Sequence, residues 1–186
     1  MPADDILLDV EERMDKAISI LKNQLGGIRT GRANPGLVDS LKVEVYGSQS
    51  PMKQLASVGA PEATQIVIRP YDPSTIKDIE KAIIASGLGF APQNDGRIIR
   101  INVPPLTTDT RRKMVSRIKE LTEEAKVSIR NVRRDGNKAA EQEEKDKILT
   151  EDALDKLKEE IQELTKKYEN TAAEMAKTRE AEVMGD

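Results

Sequence analysis

Apolar residues recur at alternating intervals of three and four positions near the start of the chain. The repeated positions are Leu7, Val10, Met14, Ala17, Leu21, Leu25 (or Gln24) and Ile28. This spacing predicts a helix over residues 3–29 that packs at a shallow angle against other helices. Gly26-Gly27 weakens its last turns, and the run from Thr30 to Gly36 breaks the pattern, so a junction is predicted there.

Residues 37–103 follow a different pattern. Period-two alternation or β-branched runs predict three strands, at 42–46, 65–69 and 97–103. Between the second and third strands, residues 72–86 have helical spacing, with Asp72 or Ser74 as the N-cap and Gly87 as the stop. An Asn94-Asp95-Gly96 turn precedes the third strand. Together these signals predict a small α+β unit.

Pro104-Pro105 closes that unit, and helical spacing then resumes to the end of the chain. Thr107, Thr108 or Asp109 is the predicted N-cap of the second long helix. Its apolar positions run from Met114 through Ile118, Leu121, Ala125, Ser128 or Ile129, Val132 and Ala139. The third long helix carries Leu154, Leu157, Ile161, Leu164, Tyr168, Ala172 and Met175.

The predicted fold class is therefore α+β. Residues 1–30 and 105–186 form a long three-helix bundle, and residues 31–104 form an α+β domain inserted into it. Because two adjacent chain crossings join the domains, the crossings are predicted to act as a hinge. Three helices in one chain can bury each other, so a monomer is expected.

The amino-acid composition limits the catalytic groups and metal ligands that the chain can provide. The chain has no Cys and no His, so thiol nucleophiles, imidazole bases and most metal sites are excluded, and an enzyme would have to work with carboxylates or Lys alone. No cofactor or metal is expected. The first residues are acidic and contain no signal-peptide or transit-peptide pattern, and no stretch is apolar enough to span a bilayer, so a cytoplasmic protein with no membrane contact is expected.

Charge is unevenly distributed along the chain. Residues 111–138 hold ten Lys and Arg against four Asp and Glu, a net charge of +6 in a chain of −3. At 100° per residue, the basic side chains form a stripe well away from the apolar seam; its members are Arg112, Lys119, Lys126, Arg130, Arg133 and Arg134. Scarce aromatics, at 2% of residues, argue against base stacking, so RNA contact would use Arg and Lys.

Two interpretations of the stripe remain open at this point. Its arginines either bind phosphate or pair with glutamates on neighbouring helices, and residues 141–186 hold fifteen acids and eight bases that could supply partners. The stripe is predicted to face away from the seam where the third helix packs. Gly136 interrupts the basic helix, which indicates either a local kink or close approach of a partner.

Four motifs, in this order and spacing, resemble the bacterial ribosome recycling factor family over the whole chain. They are Arg29-Thr30-Gly31-Arg32-Ala33-Asn34-Pro35; Gln54-Leu55-Ala56-Ser57 with Glu80-Lys81-Ala82-Ile83; Val103-Pro104-Pro105-Leu106-Thr107; and Val132-Arg133-Arg134-Asp135. The resemblance implies an L-shaped protein whose inserted domain is a β/α/β sandwich. Family members usually carry Ala where this chain has Gly136.

The resemblance also implies a function. Such a factor binds the large ribosomal subunit after termination, across the sites vacated by tRNA. With elongation factor G, and GTP hydrolysis by that factor, it splits the post-termination ribosome so that subunits, mRNA and tRNA are recycled. The protein itself then needs no catalytic residue. The rival hypothesis is a structural coiled-coil or adaptor protein that binds an acidic protein partner.

Matching positions to the family's motifs assigns expected roles to individual residues. Arg130, Arg133 and Arg134 match ribosomal RNA-contacting arginines, and Arg29 and Arg32 match basic residues flanking the hinge. Lys126, on the same stripe, is expected to join the RNA-binding set. Gly31, Arg32, Pro104 and Pro105 are the expected hinge residues.

Overall fold

The protein, seen here as a computed structural model that describes residues 2–185, combines long helices with a small sheet domain, which confirms the α+β prediction. The helices within these residues are α1 (Ala3–Gly26), α2 (Met52–Leu55), α3 (Ile76–Ala85), α4 (Thr108–Lys145) and α5 (Glu151–Met184). The strands are β1 (Lys42–Val45), β2 (Ser48–Pro51), β3 (Ala56–Glu62), β4 (Gln65–Pro70), β5 (Pro92–Asn94) and β6 (Ile99–Asn102). Two short 3-10 helices span Pro35–Leu37 and Pro73–Thr75.

Contacts divide the chain into two compact units. The helical unit comprises residues 2–25 together with Val115–Ala181. The sheet unit comprises Gly26–Met114 together with residues 182–185. The boundaries between the two units fall within α1, α4 and α5.

The helical unit buries one aliphatic core contributed by all three long helices. Val10 and Met14 of α1, Ile129 and Val132 of α4, and Leu157, Ile161 and Tyr168 of α5 belong to the same cluster. Each helix buries a stripe at intervals of three and four because its other faces are highly charged. At two positions the buried residue lies next to the predicted one. Ile6 is buried in α1 where Leu7 was predicted, and Ala140 is buried in α4 where Ala139 was predicted.

The sheet unit holds a separate core between a four-stranded antiparallel sheet, a two-stranded hairpin and α3. The sheet has the order β3-β4-β6-β5, and β1 pairs only with β2. Ile66 lies opposite Ile101 and Ile68 opposite Ile99, and all four side chains are fully buried. This alternation is why β4 and β6 were recognisable in the sequence, since one face of each strand is uniformly apolar.

Two predicted capping sites have clear partners. The Thr107 hydroxyl accepts a hydrogen bond from the Thr110 backbone N–H at 3.2 Å and so caps α4. The Asp72 carboxylate accepts from the Ser74 backbone N–H at 3.0 Å. Asp72 thus caps the 3-10 turn Pro73–Thr75, and α3 itself begins only at Ile76.

Gly136 lies inside an unbroken α4, where the three helices pack together. A Cβ added there would lie 2.6 Å from Val10 Cγ2 and 3.3 Å from Ile161 Cδ1. Because α4 continues to Lys145, the glycine does not end the helix. Gly136 is therefore explained by close packing of α1 and α5 of the same chain, and not by a helix end or by the approach of a binding partner, which the sequence had suggested.

We expect Gly136→Ala to lower the free energy of unfolding by about 1 kcal/mol. Alanine gains roughly 1 kcal/mol in helix propensity over glycine, but forcing a methyl group against a stiff valine costs about 1–3 kcal/mol. Chemical denaturation of the single variants and of the double variant with Val10→Ala would measure the clash. The double variant should lose about 1 kcal/mol less than the sum of the single losses; additive losses, or a net gain for Gly136→Ala, would contradict the account.

Tyr168 links α5 to α1 through a hydrogen bond that depends on pH. Its ring is buried, and its hydroxyl donates a 2.6 Å hydrogen bond from α5 to the Asp15 carboxylate on α1. Burial first, and then the hydrogen bond to Asp15, raise the pKa of Tyr168 above its ordinary value. The folded protein therefore holds this proton more tightly than the unfolded chain does.

We expect this contribution to stability to be complete below the unfolded tyrosine pKa, about 10, and to be lost as the pH rises above it. Over that range the unfolded state releases the Tyr168 proton first, so stability falls by at most about 1.4 kcal/mol per pH unit. Urea denaturation between pH 8 and 11.5 would measure the slope. Tyr168→Phe is the control and should have a shallower slope; identical slopes would show that Tyr168 is not the group responsible.

Candidate nucleic-acid interface

The long helix α4 carries the predicted basic residues on a continuous scaffold. It runs for 38 residues, about 57 Å at 1.5 Å per residue. Its seam packs into the helical unit, so residues off the seam keep fixed positions along the helix. A rigid helix of this kind can present several cations at constant spacing to an extended anion.

Arg130 differs from the prediction that the stripe faces away from the third helix. It is half-buried, and its Nε donates to Glu169 Oε1 on α5 at 2.7 Å. Its Nη1 donates to Glu123 Oε1 at 3.3 Å. Hydrogen bonding to Glu169, followed by the charge of Glu169, raises the pKa of Arg130. Two carboxylates therefore neutralise this arginine, and the glutamate-pairing interpretation holds at this position.

Arg133, Arg134 and Lys126 behave differently. Arg134 is exposed, and Arg133 and Lys126 are half-buried. Among residues 2–185, no carboxylate lies within ion-pair distance of these three side chains. None of the three is held in an internal ion pair among these residues, so each can form an ion pair with a polyanion.

Asp135 follows the two arginines directly but pairs elsewhere. Its carboxylate accepts a 2.8 Å hydrogen bond from Arg13 Nη2 on α1. Arg13 also lies 3.9 Å from Asp9, one turn earlier on its own helix. The one acid within the basic motif is thus engaged by α1, and it does not neutralise Arg133 or Arg134.

A shallow groove between α4 and α5 adds a lysine that the sequence did not single out. The groove encloses about 310 Å³, and Lys119 and Lys126 of α4 and Lys177 of α5 all line it. Glu123 and Glu180 line it too. Lys177 was missed because acidic residues dominate the sequence of α5, and only the pairing of the two helices brings it beside Lys126.

The remaining two basic candidates belong to the sheet unit. The guanidinium of Arg29 lies 5.6 Å from the ring centre of Phe90, the only phenylalanine in the chain. Arg29 is half-buried, so part of its role is packing. Arg32 is exposed, and among residues 2–185 its side chain has no ion pair or hydrogen-bond partner.

The predicted hinge residues all fall within the sheet unit. Gly31 adopts a positive φ of 81°, a conformation that other residues rarely take. A Cβ at Gly31 would lie 3.6 Å from Leu106 Cγ, so the two chain crossings run side by side there. Pro104 and Pro105 are exposed and outside regular structure.

Residues 2–185 contain neither a membrane-spanning helix nor a cluster of metal-ligating side chains. No helix among them combines the length and apolar character needed to cross a bilayer. Between residues 2 and 185, no group of three or more Asp and Glu side chains converges as a metal site would require. The unpaired cations of α4 are therefore the main candidate site.

Comparison with known proteins points in one direction. The family described as "Ribosome recycling factor" matches residues 21–184. A ribosome-recycling factor from Rhodopirellula baltica is 74% identical over 140 residues, covering 75% of each chain. Another, from Halalkalibacterium halodurans, is 46% identical over 180 residues, covering 97% of each chain.

Two solved structures of ribosome recycling factors are also similar to this chain. A solution structure of the ribosome recycling factor aligns with a TM-score of 0.77 and 39% identity, covering 99% of this chain and 98% of the other. A second similar chain comes from models for the T. thermophilus ribosome recycling factor and the E. coli elongation factor G bound to the E. coli post-termination complex. It aligns over 100% of both chains with a TM-score of 0.70 and 37% identity.

Proposed function

The chain belongs to the ribosome recycling factor family, and we propose that it binds the large ribosomal subunit after termination. With elongation factor G, and GTP hydrolysis by that factor, it then splits the post-termination ribosome, so that subunits, mRNA and tRNA are recycled. The similar chain placed with elongation factor G on a post-termination complex supports this proposal. The protein acts as a monomer in the cytoplasm.

The observation that carries the RNA-binding part is the contrast along α4. Arg130 is neutralised by Glu169 and Glu123, whereas Arg133, Arg134 and Lys126 have no acidic partner among residues 2–185. A structural role would favour pairing at every one of these positions. Arg133 and Arg134 are the primary phosphate contacts, with Lys126 beside them, because a guanidinium donates bidentately to phosphate oxygens.

Arg130 has a supporting part in this scheme. Its pair with Glu169 ties α4 to α5 one turn before Arg133, and its guanidinium remains partly exposed, with 40% of the side chain accessible. Arg130 therefore fixes the helix that carries the two free arginines and contributes a weaker contact of its own. Arg29 and Arg32 add positive charge on the sheet unit.

The hinge part of the proposal rests on local geometry. Gly31 and the Pro104-Pro105 pair lie in two crossings that touch at Leu106. Gly31 and Arg32 on one crossing, and the two prolines on the other, absorb the backbone rotation when the domains move. GTP hydrolysis by elongation factor G drives the splitting. This protein therefore has to bind the ribosome and move its domains, and it needs no catalytic group.

A direct test is light scattering of post-termination ribosomes mixed with this protein, elongation factor G and GTP. Scattering should fall as ribosomes separate into subunits, and it should not fall when this protein, the factor or GTP is omitted. A non-hydrolysable GTP analogue separates binding from splitting. Unchanged scattering in the complete mixture, with the protein shown to be folded by circular dichroism, would overturn the proposed function.

A further inference from the structure

Two of the three tyrosines in the chain are exposed on the sheet unit. Tyr46 is 80% exposed and Tyr71 is 69% exposed. Both line the same cavity, of about 260 Å³, together with Ser50, Gln54 and Asp72. A protein with so few aromatic residues places half of them in solvent at one cavity, where they stabilise no core.

Tyr46 is held in a fixed position at the cost of an unusual backbone. It has a φ of 53° beside Gly47 at 79°, in the two-residue turn between β1 and β2. Asn and Gly favour such turns, whereas a bulky residue with positive φ is disfavoured. Its hydroxyl donates to Asp72 Oδ2 at 2.6 Å and lies 2.9 Å from Ser74 Oγ, so both ends of the side chain are anchored.

Asp72 is the only charged residue lining this cavity. Hydrogen bonds from Tyr46 and then from Ser74 lower the pKa of Asp72, and no cation contributes to that shift. Within residues 2–185 its carboxylate has no ion pair. The neighbouring cavity on the other side of Tyr46 is balanced, with Lys42 and Lys81 against Glu44 and Asp78. Only the Tyr71 side therefore attracts a cation.

We propose that the cavity between Tyr46 and Tyr71 receives an arginine side chain from a loop of a protein partner. Exposed aromatic faces attract a guanidinium, and the Asp72 carboxylate supplies the matching negative charge. The hydroxyl of Ser50 and the amide oxygen of Gln54 can accept its remaining N–H groups. An RNA segment is disfavoured, because the cavity's one charge would repel phosphate. The volume lies below the range of about 300–1,000 Å³ typical of small-molecule sites.

The first experiment tests this site without any ribosomal component. Amide NMR spectra of the full chain would be recorded during titration with Nα-acetyl-arginine methylamide and, separately, with its uncharged citrulline analogue. Chemical-shift changes should concentrate at Tyr46, Gly47, Tyr71 and Asp72 for the arginine probe and be far smaller for citrulline. Absent shifts, equal shifts for the two probes, or stronger shifts with a short oligouridylate would overturn the proposal.

Variants localise the interaction. Asp72→Asn keeps an oxygen that can cap the 3-10 turn but removes the charge, and it should weaken binding of the arginine probe by up to about fivefold, as for loss of an exposed ion pair. The Tyr71 hydroxyl has no hydrogen-bond partner among residues 2–185, so Tyr71→Ala breaks no internal hydrogen bond of the side chain. This variant should also weaken binding of the arginine probe. Asp78→Asn in the balanced cavity is the matched control and should titrate like the wild type. Wild-type titration by Asp72→Asn would contradict the site.

The second experiment asks whether the partner acts in recycling, and this step rests on the proposed function. Asp72→Asn should raise the concentration of this protein needed for half-maximal splitting about fivefold, while its sedimentation with large subunits stays unchanged. If the wild type neither binds subunits nor splits ribosomes, the proposed function fails, while the NMR result still decides the arginine site. Normal splitting by Asp72→Asn would exclude the cavity from recycling.

Discussion

Replacing Arg133 with alanine is expected to weaken binding to the large ribosomal subunit by about tenfold or more, while leaving the free energy of unfolding within about 0.5 kcal/mol. The side chain has no acidic partner among residues 2–185, so its removal breaks no internal ion pair. A hydrogen bond to a charged group is worth about 1.5–3 kcal/mol, which corresponds to roughly a 10- to 150-fold change in affinity. Equilibrium sedimentation and urea denaturation of the same variant would measure both quantities.

Three further variants separate RNA contact from a general loss of charge. Arg69→Ala removes an exposed arginine of β4 that has no ion pair among residues 2–185, and it should leave binding unchanged. Arg133→Lys keeps the charge but loses the planar fork, so it should recover only part of the affinity. Arg130→Ala should lower stability slightly, because it breaks the solvent-exposed ion pair with Glu169. Equal effects of Arg69→Ala and Arg133→Ala would remove the argument for a specific site.

Cross-linking the two chain crossings is expected to abolish ribosome splitting while preserving subunit binding. The structure favours Gly31→Cys with Leu106→Cys, because a Cβ at residue 31 would lie 3.6 Å from Leu106 Cγ. The chain has no native cysteine, so only one intramolecular disulfide can form. Positive φ at residue 31 costs a cysteine roughly 1–2 kcal/mol, and a disulfide typically returns about 2–4 kcal/mol.

The reduced form of the same protein is the control for this experiment. Splitting should be absent under oxidising conditions and return after a reductant opens the disulfide, with large-subunit binding unchanged throughout. The single variants Gly31→Cys and Leu106→Cys report any effect of the substitutions themselves. Full splitting activity in the oxidised double variant would refute the hinge role of these crossings.

Local pattern was sufficient for the long helices and the two central strands. Strong periodicity located α1, α4 and α5 to within a few residues, and the β-branched runs located β4 and β6. The strands β2, β3 and β5 were not predicted from the sequence. β3 contains Gly59 and Pro61 and has a register irregularity after Gly59, and it lies at the edge of its sheet, where such residues are tolerated. These strands form through pairing with neighbours, which local propensity does not encode.

The sequence predicted those features of the candidate site that depend on one helix alone, and not those that depend on how the helices align. A helical projection placed Arg133 and Arg134 away from the seam of α4, and within the described residues 2–185 neither side chain forms an ion pair. Projection of one helix could not pair Arg130 with Glu169 or Asp135 with Arg13, because those pairs depend on how the helices align. It also could not explain Gly136, whose close neighbours Val10 and Ile161 come from two other helices.

Contact between the unpaired cations of α4 and ribosomal RNA would be measured by sedimentation of the wild type with isolated large subunits across a salt series. With the three free cations each neutralising one phosphate, the logarithm of the binding constant should fall with the logarithm of salt concentration with a slope of about −2 to −3. Arg133→Ala should reduce that slope by about one. Absence of binding at low salt, or binding with the same salt dependence in both proteins, would contradict the account and favour an adaptor that binds an acidic protein.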